Sequence, residues 1–244
     1  MYDIPRFISL GEACLVVEFS DAIEMAANVR LRGLSRVMSG EKISGLLECV
    51  PTYRSLAIHY DPIKLPRRAL VEIVRSKLAE SGAEAESFGR IVVLPVAYGG
   101  RHGPDMSRVS AHSGLDEEEI VRRHTARDYY CHMLGFTPGF GYLGGMDDSL
   151  ATPRLENPRA MILAGSVGIA GFQTGAYSVD GPGGWNLIGR TPLLLFNPLD
   201  EKNPTLIEAG DWVRFTRISD VEYGAIRRGV EAEYEPERLD PCGR

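Results

Sequence analysis

The sequence predicts an α+β protein of two domains, a ferredoxin-like domain over residues 1–88 followed by a β-barrel domain over residues 89–244. Three observations predict it. Up to Gly82 the apolar residues alternate between strand and helix periods in the order β-α-β-β-α, and the strand-like run Ile91–Val96 either completes a ferredoxin-like sheet or opens the next domain. The segment Ala83–Gly89 is short and polar, the composition of a domain boundary, which is placed near Phe88. From Gly135 to Pro198, glycine, proline and aromatic residues crowd together so densely that no ordinary helix can run through them. Glycine supplies positive φ and close backbone approach, and proline fixes φ and removes a ladder donor, so this segment reads as short strands and turns of a strongly curved sheet.

The elements follow in order. Cys14–Phe19, rich in Val and Leu, reads as a strand, and Asp21 with Glu24 has the spacing of a capping box that starts a helix. That helix is expected to bury Ile23, Ala27, Leu31, Leu34 and Met38 and to stop at Gly40. Ile43–Val50 and Arg54–Tyr60, separated by Pro51-Thr52-Tyr53, make an antiparallel pair. Pro66 suits a first helical position, with Leu70, Val71, Val74 and Leu78 as the buried stripe before Gly82. Asp105–Ser113 reads as a short helix ending before Gly114, and Asp116 with Glu119 repeats the capping-box spacing for a helix through Ala126. Strands are then expected at Tyr129–Leu134, Ile162–Ile169, Gly175–Tyr177, Trp185–Ile188, Leu193–Phe196 and Asp211–Ile218, enough for a closed barrel. Ser219–Arg228 adds a helix, and the charged tail Glu231–Arg244 is expected to fray or to be ordered by a partner.

Composition narrows the function. With 244 residues, 44% of them hydrophobic, the chain can bury a sizeable core. Its net charge of −6 and pI near 5.5 provide no basic face for nucleic acid. Cys14, Cys49, Cys131 and Cys242 form no C-x-x-C pair, which points to reduced thiols and away from a disulfide framework or zinc ribbon. No basic-then-apolar leader or membrane-length apolar run occurs, so the expected location is the cytoplasm, without membrane partners.

Several motifs carry less chemistry than their letters promise. Gly139, Gly141 and Gly144 spell G-x-G-x-x-G, but Pro153 follows too soon for a helix that would face a pyrophosphate. Ser166 lies in A-G-S-V-G without the strand-to-helix elbow of a hydrolase nucleophile, and is expected to line a pocket as a hydroxyl. No P-loop, biotin-carrier lysine motif or metal-ligand histidine spacing is present. Three residues are singled out as catalytic. His124 stands at the end of a helix immediately before the glycine-rich stretch, where a group titrating near neutrality can serve as base or donor. Gln173 offers donor and acceptor together to a planar amide, and Arg190 offers a planar fork to an anion. Arg154, Arg159, Ser166, Thr174 and Tyr177 are the expected substrate-binding residues. Each arginine in this apolar setting needs an anion, either a substrate carboxylate or phosphate or an internal carboxylate such as Asp180.

The run G-F-T-P-G-F-G-Y-L-G-G, with P-R-L-E-N-P-R, A-G-S-V-G-I-A-G-F-Q-T-G-A-Y and D-G-P-G-G-W-N-L-I-G-R-T-P, resembles the signature of the KipI-like, or allophanate hydrolase subunit 1, family. Y-G-G-R-H-G-P-D at Tyr98–Asp105, P-T-Y-R-S-L-A-I-H-Y-D at Pro51–Asp61 and G-D-W-V-R-F at Gly210–Phe215 extend the resemblance over nearly the whole chain. It implies a cyclophilin-like barrel and a subunit of an ATP-dependent 5-oxoprolinase, which opens the lactam of 5-oxoproline to glutamate. It also implies a histidine at the place of His124, ATP somewhere in the complex, and two companions: a KipA-like C subunit and a LamB/YcsF-like A subunit; a lactam is a group that the Gln173 carboxamide can pair with as donor and acceptor at once. Two other functions remain open at this point, a carboxyltransferase component of a biotin-dependent urea or amide carboxylase and an inhibitor of a sensor histidine kinase.

Overall fold

The computed structural model describes residues 1–80, 90–230 and 238–239. The expected linker and the Gly82 helix stop lie outside them, as does the tail beyond Val230 apart from Arg238–Leu239. The chain divides into two compact units, Met1–Ser87 and Phe88–Arg244.

In the first unit, β1 (Arg6–Ser9), β2 (Cys14–Glu18), β3 (Leu46–Pro51) and β4 (Ser55–Tyr60) form an antiparallel sheet in the order β1-β2-β4-β3. Leu15, Val17, Leu56 and Ile58 alternate onto one face, where they share a core with Ala27, Leu31, Leu34 and Met38 of α1 (Met25–Gly40) and with Leu70 and Val74 of α2 (Arg67–Glu80). The β-α-β-β-α order is present, but Ile91–Val96 does not complete this sheet. The edge beside β2 is taken by β1, a four-residue strand whose mostly exposed residues carry no alternating signal. The start of α1 also differs from the expectation. The helix begins at Met25, Glu24 occupies the cap without a side-chain capping bond, and Ile23 stands 56% exposed ahead of the buried stripe.

The second unit is a closed barrel. Its strands are β5 (Ile91–Tyr98), β6 (Asp128–Leu134), β7 (Gly141–Gly144), β9 (Ser166–Ala170), β10 (Gln173–Ala176), β12 (Asn186–Arg190) and β13 (Trp212–Ile218). They run in the ring order β12-β9-β10-β7-β6-β13-β5, and β12 returns to pair with β5. A separate two-stranded ribbon joins β8 (Arg159–Ile162) to β11 (Gly181–Gly183), while β14 (Arg238–Leu239) adds to β5. The interior is filled by Val92, Leu94 and Val96 of β5, Val167 and Ile169 of β9, and Val213 and Phe215 of β13. Packed against that core are α3 (Met106–Ser113) and α4 (Glu117–Thr125), which contribute Met106, Val109, Ile120 and Val121. The helix α5 (Asp220–Val230) follows β13.

Local signals explain the helix ends. Gly114 caps α3 in the left-handed region at φ 73°, and the Asp116 carboxylate accepts the Glu119 N–H at 2.8 Å to start α4. The reciprocal half of that capping box is absent because Glu119 pairs instead with Arg122 and Arg123. Two strand expectations need correction. Ile162–Ile169 is not continuous: the chain turns at Gly165, φ 84°, so that β8 joins the ribbon and β9 the barrel. Leu193–Phe196 forms no strand and contributes only the isolated bridge Phe196↔Thr205.

Ring closure depends on a glycine. The register of β12 shifts between Leu187 and Gly189, so that Gly189 faces Val167 of β9 on one side and Tyr98 of β5 on the other. A Cβ at Gly189 would lie 2.6 Å from Val96 Cγ1 and 2.9 Å from the Ala97 carbonyl oxygen. Gly189→Ala is therefore expected to cost roughly 1–3 kcal/mol through overpacking at the seam. Urea unfolding of the variant beside the wild-type chain checks this, and equal midpoints would refute it.

Candidate functional site

Strand alternation divides the predicted site residues between two faces of the barrel wall. On β9, Val167 and Ile169 belong to the interior cluster, which leaves Ser166, Gly168 and Ala170 on the outside. On β10, Thr174 and Ala176 point inward, whereas Gln173 is opposite Ala170 and Gly175 opposite Gly168. Arg190 is opposite Ser166. Ser166, Gln173 and Arg190 therefore share the outer face, and Thr174 faces the interior with His124.

The interior pair is the centre of a hydrogen-bonded line. The Tyr98 hydroxyl lies 2.8 Å from His124 Nδ1, and His124 Nε2 lies 2.8 Å from Thr174 Oγ1. Thr174 donates its one hydroxyl hydrogen to the Gly168 carbonyl at 3.1 Å, so it must accept from Nε2–H. Nδ1 then accepts from Tyr98, and every hydrogen in the line is oriented the same way. Tyr129 donates to the His124 carbonyl at 2.7 Å, and the imidazole lies against the rings of Tyr129 and Phe215. His124 is fully buried, and that burial pushes its pKa down to about 3. The expectation that this ring titrates near neutrality is therefore corrected: it is neutral across the physiological range.

The outer face carries a second cluster, Phe140, Ile162, Tyr177, Trp185 and Leu187, beside the β8–β11 ribbon. Phe140, Tyr177 and Trp185 meet edge to face, with centroids 5.5–6.3 Å apart. Phe136 caps this cluster, 61% exposed, edge-on to Phe140 and Tyr177. It is the one non-glycine residue among those described with positive φ, at 66°. The strain is held by the next residues: Thr137 Oγ1 is 3.2 Å from Ser178 Oγ, which donates to the Pro138 carbonyl at 2.6 Å. Sequence reading did not single out Phe136 beyond its aromatic class, since the sign of φ is not written in residue type.

The arginines find different partners. Arg159 Nη2 donates to Asp105 Oδ1 at 2.6 Å, and Asp105 Oδ2 accepts the Leu187 N–H at 2.7 Å. Asp180, proposed as an internal anion, instead accepts the Ala164 N–H at 2.7 Å, and Arg190 Nε donates to the Ala164 carbonyl at 2.9 Å. Arg154 is exposed. Tyr177 is buried against Gly183, and burial raises its pKa, opposed by a backbone hydrogen bond from Trp185 and by the charges of Arg154 and Arg159. Ser166 is buried and Gln173 half-buried. Sequence reading missed Asp105 as a site residue. Its only signal was its place in the Tyr98–Asp105 motif.

The burial of His124 makes an acid-range prediction. Its folded pKa is depressed below the unfolded value near 6.5, so folding is unpenalised above pH 6.5 and loses stability as pH falls from there toward 3. The slope contributed is about 1.4 kcal/mol per pH unit. His132, whose pKa burial lowers to about 4, adds the same sign over a narrower window. Urea unfolding from pH 7 to pH 4 should show His124→Gln losing less stability than the wild type by about one proton's slope. Parallel curves would rule this out.

The chain matches the carboxyltransferase domain, subdomain C and D, over residues 5–207. It is 41% identical to the 5-oxoprolinase B subunit of Bacillus subtilis over 228 residues, covering 89% of this chain and 95% of that protein. With the 5-oxoprolinase B subunit of Haemophilus influenzae the identity is 46% over 210 residues, 86% of this chain and 96% of the relative. The crystal structure of TTHA0988 superposes with a TM-score of 0.74 at 32% identity over 84% of this chain, which spans only 39% of that longer chain. This chain belongs to the carboxyltransferase-domain family, subdomain C and D, and within it to the KipI-like group of 5-oxoprolinase B subunits.

Proposed function

We propose that this chain is a subunit of an ATP-dependent 5-oxoprolinase, which hydrolyses 5-oxo-L-proline to L-glutamate only when partner subunits are present. The observation that carries the reading is identity of 41% and 46% with proteins named as the 5-oxoprolinase B subunit, over 95–96% of their length. A subunit by name is part of a larger assembly, and TTHA0988 joins a matching region to further polypeptide in one chain. Those facts support partners, here a KipA-like and a LamB/YcsF-like protein.

An unactivated lactam resists attack by water, and coupling to ATP makes its carbonyl the better electrophile. The glycine-rich turn does not fit a phosphate site of the dinucleotide-binding kind. The glycine-rich turn Gly139–Gly145 leads only to the single 3₁₀ turn Asp148–Leu150, so no helix N-terminus receives a phosphate there.

Within the assembly this chain contributes its outer barrel face. Gln173 orients the lactam, and the Arg190 fork, whose Nε is held by Ala164, presents its remaining edge to a substrate or partner anion. His124 acts from behind the wall as a positioning residue: its bond to Thr174 fixes the strand that carries Gln173 outward.

Co-expression with the two companions should yield 5-oxoproline-dependent ATP hydrolysis and glutamate release, with the single chain folded but inactive. Turnover by the single chain at the rate of the complex would overturn the reading, as would an intact complex that consumes no 5-oxoproline. In the active complex, Arg190→Lys should lower kcat/KM about tenfold or more, because a point charge does not replace a planar fork. His124→Gln should leave the pH–rate profile between pH 5 and 8 in place, and a displaced limb would identify His124 as the titrating base.

A further inference from the structure

Arg159 has an unfinished set of hydrogen bonds where the ribbon meets the outer aromatic cluster. Its Nη2 is committed to Asp105 at 2.6 Å, whereas Nη1 is buried and has no partner among the described residues. A buried guanidinium donor without an acceptor is rare and calls for an explanation. Gly183 is the register partner of Arg159 across the ribbon, and the Tyr177 phenol oxygen lies so close over Gly183 that a Cβ there would overlap it. The phenol thus lies over the ribbon at the backbone position opposite Arg159. The Trp185 backbone faces the phenol oxygen, and the charges of Arg154 and Arg159 both reach it.

Charge selects the class of ligand. Asp105 balances Arg159, whereas Arg154 is exposed and has no carboxylate partner among the described residues, so the group carries one net positive charge. A singly charged planar anion with two acceptor oxygens matches it, one oxygen for Nη1 and one for the phenol hydrogen. A phosphate dianion would leave excess negative charge beside the buried Asp105 carboxylate.

We propose that Arg159 Nη1 and the Tyr177 phenol, with Arg154 at the rim, recognise the carboxylate of a small monoanionic acid. Identifying that acid with 5-oxoproline rests on the function proposed above. The site itself does not.

The test is an amide-resolved NMR titration of the whole chain, following Gly183 and Trp185, with four probes: 5-oxoproline, its carboxamide, lactate and inorganic phosphate. Saturable shifts are expected from the carboxylates and not from the carboxamide. Tyr177→Phe and Arg154→Gln should each weaken carboxylate binding about tenfold or more. Both variants keep the Arg159–Asp105 pair, and unchanged spectra elsewhere will show that they fold. The proposal is overturned if no carboxylate shifts these amides, if the shifts survive both substitutions, or if phosphate binds more tightly; the orphan donor then holds only water. Binding of lactate without 5-oxoproline upholds the site and counts against the 5-oxoprolinase reading. A complex that turns over 5-oxoproline with an unchanged KM in both variants keeps that reading and removes the site.

Discussion

Closure of the seven-strand ring through β12 is the constraint on which the rest of the second unit depends. A closed sheet has no free edge, so each wall residue is committed to the interior or to the outside. That commitment decides which predicted site residues can meet one another. Closure requires β12 to pair with two strands at once, and its bulge at Gly189 allows this only because nothing projects toward Val96 and the Ala97 carbonyl. At the next residue along the chain, the outward side of β12 carries Arg190 opposite Ser166.

Inside the ring, polarity is tolerated because it is saturated. The line from Tyr98 through His124 and Thr174 to Gly168 uses both imidazole nitrogens, and Tyr129 ties down the carbonyl of the same histidine. A buried network of this kind stabilises one arrangement of β5, α4, β10 and β9 over its alternatives, since breaking any link strands a donor or acceptor away from water. The chemistry that makes histidine attractive as a catalyst is removed by the same burial.

Outside the ring the accounting is incomplete. The strained Phe136, the edge-to-face aromatics and the half-satisfied Arg159 gather around the β8–β11 ribbon, an arrangement more costly than a simple packed surface needs. Membership of the 5-oxoprolinase B group is the context in which this face is proposed to hold a small acid.

By itself the sequence determined what depends on local chemistry. The buried stripe of α1 from Ala27 to Met38, the caps at Asp116 and Gly114, and the antiparallel pair around Pro51 were all legible, because periodicity and turn residues act over a few positions. So were the family motifs and the strand-and-turn character of the Gly135–Pro198 stretch. Tertiary structure alone decided the rest. Whether Ile91–Tyr98 joined the first sheet or the barrel turned on its parallel pairing with Trp212–Ile218, more than a hundred residues away in sequence. Whether β1 existed turned on an edge left vacant by that choice. His124 was visible as a histidine at a helix end, but its neutrality follows from the rings and strands that close over it. Arg159 was visible as a cation needing an anion, but only the fold brought it Asp105 for one arm and left the other without a partner among the described residues, because a partner's distance in space is set by ring closure and not by spacing along the chain.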